Sequence, residues 1–190
     1  FRESYHALRP LRFLLDIRCP PVEGYLKLLL APVGCTMVAG RVQPDRPAAA
    51  MAGQPFHFDG ALPDGFTYDT EPACRAVVTA SGIDPAQIFA VFKAIQSAFY
   101  AEGRDVTRAD VLADLTAALG IDVSRFLQTF DSDEARARTQ AHFRQARIAG
   151  VKGFPTLILQ QDSQLHPVSA GFQPLDIVRA TLDRHLQPKV

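Results

Sequence analysis

From Thr70 to Gly150 the sequence carries five helix starts and five helix stops in succession, and by Pro155 its apolar pattern has switched to that of a strand. Thr70-Glu71-Pro72 opens the first segment, which ends at Gly82. Asp84-Pro85 opens a second, in which Ile88, Phe89, Phe92, Ile95, Phe99 and Tyr100 recur at helical spacing until Gly103. Thr107 with Asp110 begins a third that stops at Gly120, and Asp122 caps a fourth through Phe130. Ser132-Asp133-Glu134 then places acidic groups in the first turn of a fifth that ends at Gly150. The stripe of Phe89, Phe92 and Phe99 predicts a core face rather than a cofactor pocket.

Strand-forming segments flank this helical block. Leu11 to Ile17 reads as a strand; Cys19-Pro20-Pro21 and Val22 to Leu30 follow, and a helix is expected there because prolines fit the first helical turn. Cys35 to Val42 reads as one further strand ending in the Gln43-Pro44-Asp45 turn, before a long Pro/Gly-rich connection to Gly65. Beyond the block, Pro155 to Gln160 predicts a strand, Gln161 to Gln164 a turn, His166 to Ala170 its hairpin partner, and Pro174 to Leu186 a last amphipathic helix. The order predicts an α/β chain: a thioredoxin-like fold with an inserted α-helical subdomain. Residues 1–66 and 150–190 would form the thioredoxin-like domain and residues 67–149 the insertion.

Charge and cysteine usage narrow the function classes. Twenty basic residues balance twenty acidic ones in 190, so no positive field draws in nucleic acid or an anionic membrane. The longest apolar stretch, Tyr25 to Val33, is broken by Lys27 and Pro32 and falls short of the roughly 20 residues a membrane span needs. Phe1 to Pro10 does not read as an intact signal peptide, and the true N-terminus is expected upstream. Cys19, Cys35 and Cys74 lack the spacing of a disulfide scaffold or of paired C-x-x-C zinc knuckles, which favours a reducing compartment and a cytoplasmic protein.

Several motifs carry a resemblance. Gly150-Val151-Lys152-Gly153-Phe154-Pro155-Thr156 precedes an apolar strand. Gly53-Gln54-Pro55-Phe56 with Phe58-Asp59, and Thr70-Glu71-Pro72-Ala73-Cys74-Arg75-Ala76, stand at the entry to the helices, and Gly171-Phe172-Gln173-Pro174 leads into the last one. Together they resemble the DsbA-like thioredoxin proteins, in particular their FrnE-like branch, strongly from about Gly53 onward and weakly before it. The resemblance implies a cis-proline loop in which Pro155 stands beside the redox cysteine. Phe154 and Thr156 would then align the substrate. A cis X-Pro bond costs only about 0.5–1 kcal/mol, and proline has no N–H, so the backbone of Phe154 is left free to pair with an extended chain.

The same resemblance implies a thiol-disulfide oxidoreductase, whose chemistry needs a cysteine at a helix N-terminus and a second one three residues on. Asp16-Ile17-Arg18-Cys19-Pro20-Pro21-Val22-Glu23-Gly24 fits the family's strand-end pattern with Val22 where the second cysteine belongs. Cys19 is then a lone catalytic nucleophile beside Pro155, released by glutathione or another thiol. A second placement puts Phe1 just after the motif, makes Phe1 to Arg9 the first helix, and leaves the redox centre upstream. Both stay open.

Other residues read more plainly. Cys35 and Cys74 are expected as small buried hydrophobes. His57, His142, His166 and His185 lie in different elements without ligand spacing, so no metal is predicted. Arg136, Arg138, Arg144 and Arg147 form a solvated face balanced by Asp131, Asp133 and Glu134. The expected function is therefore exchange with protein or small-molecule thiols and disulfides, without a cofactor and with glutathione as a co-substrate. The alternatives are a glutathione-dependent transferase or isomerase of the kappa/hydroxychromene-carboxylate type, and a non-catalytic peptide-binding module. A sheet that lacks its first strand would expose an edge and favour a homodimer.

Overall fold

The computed structural model describes the backbone of residues 13–18, 24–30, 35–38, 41–44, 66, 69–152, 155–161 and 164–186, and the side chains of those from 66 onward. In chain order the elements are β1 (Phe13–Arg18), β2 (Gly24–Leu30), β3 (Cys35–Val38), β4 (Arg41–Pro44), α1 (Glu71–Ile83), a 3₁₀ turn (Pro85–Gln87), α2 (Ile88–Tyr100), α3 (Ala109–Ala117), α4 (Val123–Phe130), α5 (Asp133–Ile148), β5 (Thr156–Gln161), β6 (Gln164–Ala170) and α6 (Leu175–Leu186). They fall into two compact units. One holds β3, β4 and the helices as far as Ala141; the other holds β1, β2 and everything from His142.

All five expected helices form, and a short polar side chain stands at the start of α1, α4 and α5 and of the 3₁₀ turn that leads into α2. The Asp69 carboxylate accepts from the Glu71 N–H (3.0 Å), and Asp84 accepts from the Ala86 N–H (3.0 Å). Asp122 accepts from the Arg125 N–H at 2.7 Å, and the Ser132 Oγ accepts from the Ala135 N–H at 3.1 Å. These satisfy backbone donors that have no partner within the helix. At α3 the expected start differs. Thr107 donates its hydroxyl and its N–H to Asp105, at 2.6 and 2.9 Å, and Arg108 occupies the cap position without a side-chain cap bond.

In the first unit α1 is buried on every residue from Ala73 to Ala80, so it is enclosed by its neighbours rather than amphipathic. Cys74 sits in that stretch fully buried, as expected. Of the phenylalanine stripe on α2, Phe92 and Phe99 are core, whereas Phe89 is 47% exposed. Two polar side chains in α1 carry special consequences. The Thr79 hydroxyl is buried with no hydrogen-bond partner among the described residues. Thr79→Val keeps the shape and removes the orphan, so it is expected to raise unfolding stability by about 1 kcal/mol in urea denaturation.

The second is Arg75. Its Nη1 donates to the Phe130 carbonyl at 3.1 Å, and its guanidinium lies 4.1 Å over the Phe130 ring. Nε stands 3.2 Å from Glu71 Oε1, an ion pair by distance in which Nε is not aligned for a hydrogen bond. Phe130 ends α4, so the arginine of one helix covers an unpaired carbonyl at the C-terminus of another. Burial pushes the Glu71 carboxyl above its ordinary value of 4.5, against the pull of Arg75. A carboxyl raised in the folded state gives a stability contribution that is complete below 4.5 and lost as pH rises through the raised value. Glu71→Gln is therefore expected to flatten the decline in urea midpoint on going from pH 4.5 toward neutrality.

The second unit is built on one antiparallel sheet in the order β1-β2-β5-β6. The side chains of β5 alternate between its faces. Leu157 and Leu159, with Val168 of β6, pack against Val178, Leu182 and Leu186 of α6, while Ile158 packs with Ala146, Ala149 and Val151. β5 is thus held between α6 and the end of α5.

The first third of the chain corrects two expectations. The helix expected over Val22 to Leu30 is instead strand β2, paired antiparallel to β1 with Phe13 opposite Leu30 and Arg18 opposite Tyr25. Only residues 19–23 separate the two strands, and a parallel pair needs a crossover of a dozen residues or more, so the hairpin is the available pairing. Tyr25 to Leu30 is a short apolar run, which periodicity alone does not distinguish from a buried helix. The single strand expected over Cys35 to Val42 is two strands, β3 and β4, paired from Cys35 with Pro44 to Val38 with Arg41. Phe1 to Arg9 and the Gly53 to Asp59 box lie outside the described residues.

Candidate functional site

Pro155 stands immediately before β5, half-buried. It has no N–H, and its carbonyl accepts from the Gly171 N–H at 2.7 Å. Gly171 has φ +84°, in the left-handed region that favours glycine, so the turn into α6 is shaped to reach back to Pro155. Thr156 follows, buried, with Leu29 of β2 opposite it on one side and Ala170 of β6 on the other. The backbone around Pro155 and Thr156 is therefore already engaged. Phe154 lies outside the described residues, as does Cys19.

The register bears directly on Cys19. Thr156 lies opposite Leu29, which lies opposite Leu14; Arg18 lies opposite Tyr25, which lies opposite Gln160. The strand end that leads into Cys19 is therefore at the far end of the sheet from Pro155. Four residues of strand separate the two ends, about 14 Å at about 3.4 Å per residue. One of the two placements the sequence leaves open puts Cys19 beside Pro155 at the start of a helix, and the other leaves the redox centre upstream. The described end of β1 at Arg18 lies at the other end of the sheet from Thr156, and the next described element, β2, is a strand rather than the expected helix.

What the sequence reading missed lies in pairs it took as separate. His166 of β6 and His185 of α6 meet with ring centroids 4.9 Å apart, tilted by 37°. Only the β5–β6 register and the docking of α6 bring them together. The arginines of α5 behave as expected: all four are exposed, with Arg136 3.7 Å from Asp131. Among the described residues no group of three or more metal-ligating side chains occurs, and no helix is long and apolar enough to cross a membrane.

Comparison with known proteins decides the family. The model of the DSBA-like thioredoxin domain matches residues 44–183. The chain belongs to the DsbA-like thioredoxin family. The match includes Pro155, Thr156 and Gly171 and begins after Cys19. A proposed protein disulfide isomerase from Nitrosomonas europaea is 43% identical with a TM-score of 0.73, over 75% of this chain and 70% of that one. The cytosolic disulfide reductase DsbM from Pseudomonas aeruginosa is 33% identical with a TM-score of 0.65, over 75% of this chain and 73% of that one. The same reductase solved with GSH is 31% identical with a TM-score of 0.62, over the same shares. A search of curated proteins gives no match. The fold is thus thioredoxin-like, and the family is one of thiol-disulfide oxidoreductases.

Proposed function

We propose that this chain binds thiol and disulfide substrates of its family, an extended cysteine-containing peptide or glutathione, at the head of β5, and does not itself exchange their disulfides. The observation that carries this reading is the sheet register, which sets the strand end leading to Cys19 about 14 Å from Pro155. The ligand's main chain pairs before Pro155 on the Phe154 side, as in strand addition to a sheet. The glutathione-bound reductase supports the small thiol as a ligand class. The cytosolic origin of that relative supports a cytoplasmic protein. β1 is an end strand of the sheet among the described residues, and pairing of two copies along it would give the expected homodimer.

A second reading keeps Cys19 as a lone nucleophile. It is favoured by the disulfide reductase and isomerase relatives and by the Asp16, Cys19 and Gly24 spacing. In that reaction the Cys19 thiolate attacks glutathione disulfide, forms a Cys19–glutathione disulfide and releases one glutathione thiolate. One pair of proteins separates the two. Under the first reading, Cys19→Ser binds glutathione as the parent does, and the parent's Cys19 is alkylated by iodoacetamide with a midpoint at or above the unperturbed thiol value of about 8.5. A midpoint well below that, with exchange lost in Cys19→Ser, would overturn the first reading in favour of the second.

A further inference from the structure

The pair of histidines at the other end of the β5–β6 hairpin from Pro155 offers a site of a different kind. His166 lies on β6 opposite Leu159, and His185 lies in the last turn of α6; both are half-buried. Their rings meet with centroids 4.9 Å apart. No hydrogen bond to any of their four ring nitrogens is found among the described residues. Arg184, the neighbour of His185 in the chain, donates to the Ala180 carbonyl at 3.3 Å and to the Thr181 hydroxyl at 3.1 Å, over the preceding turn. The Gln161 side-chain amide N–H donates to the His185 carbonyl at 3.3 Å, which holds that side chain beside the end of α6.

We infer that His166 and His185 form a two-imidazole site for a late first-row divalent cation such as Ni²⁺, Cu²⁺ or Zn²⁺. Imidazole nitrogen is a preferred ligand of these ions. With metal–nitrogen bonds of about 2.0–2.1 Å and bond angles between about 90° and 110°, the ring centres of two imidazoles on one ion fall about 4.5–5.2 Å apart. The observed separation lies within that range. One imidazole comes from the sheet and the other from the helix packed on it, so a bound ion ties the end of α6 to β6. Remaining coordination positions go to water, the Gln161 oxygen or an external donor.

Calorimetric titration of the full chain with NiCl₂ tests this against His166→Phe and His185→Phe, which keep an aromatic ring in contact and remove the nitrogens. The parent is expected to bind one Ni²⁺ saturably in the micromolar to submillimolar range, and each variant at least tenfold more weakly. Circular dichroism confirms folding; should one variant fail to fold, the other decides. Absence of saturable binding in the parent, or unchanged affinity in a folded variant, would overturn the site.

Discussion

Arg75→Ala is expected to lower unfolding stability by about 2–4 kcal/mol, although the residue lies in no catalytic position. The substitution uncovers the Phe130 carbonyl at the end of α4, removes the cation from the Phe130 ring and leaves the Glu71 carboxylate without its partner. Removing one member of a largely buried charged pair costs more than the pair contributes, because the remaining group keeps its desolvation penalty. Arg75→Lys should recover only part of the loss. An ammonium can restore attraction to Glu71 but has no planar fork to reach the carbonyl while lying over a ring. Urea unfolding of the three proteins reads the difference, and a loss below about 0.5 kcal/mol in Arg75→Ala would mean that water caps α4 equally well.

The second large effect is expected in the sheet. Leu159 is fully buried in β5 and packs with Leu157 and Val168 under Val178, Leu182 and Leu186 of α6. Leu159→Ala is expected to cost about 2–5 kcal/mol, the spread reflecting how far α6 can settle into the space left. β5 also begins at Thr156, directly after Pro155, so the same variant should bind glutathione more weakly, while Thr79→Val in α1 should not change that binding. Unfolding and glutathione titration of the two variants test both halves of the statement.

The helices were legible because their signals are local. Asp84, Asp122 and Ser132 each act within three residues of themselves, and the glycine stops need only their own backbone. Gly150, for instance, takes φ +75° just beyond α5. β5 and β6 were legible for a similar reason: proline and polar residues bracket two short runs of strand-forming type. β2 was not, because Tyr25 to Leu30 satisfies a buried strand and a helix equally, and the prolines at 20 and 21 suggest a helix start. That one reading also set the expected surroundings of the segment after Arg18, since a helix there would have allowed a parallel crossover and the observed antiparallel pairing of β1 with β2 does not. Arg75 was hidden because Glu71 and Arg75 at i and i+4 look like an ordinary solvated pair until α4 is laid across them. The histidines were hidden because their meeting depends on strand register, which no local spacing reports.

The pairing of Leu29 with Thr156 also orders events in time. All five helices of the block lie between those two residues in the chain, so during synthesis β2 is exposed long before its partner strand is made. At roughly 5–20 residues per second the delay is on the order of 10 s, far longer than a hairpin needs to form. Closing so long a loop costs little extra free energy, because the entropy grows only with the logarithm of its length. It is slow all the same, because pairing across such a sequence separation cannot begin until the helices between are laid down. β1 and β2 would thus meet first as a lone hairpin with both edges unpaired, and the nascent chain is most exposed to strand-to-strand association until β5 emerges.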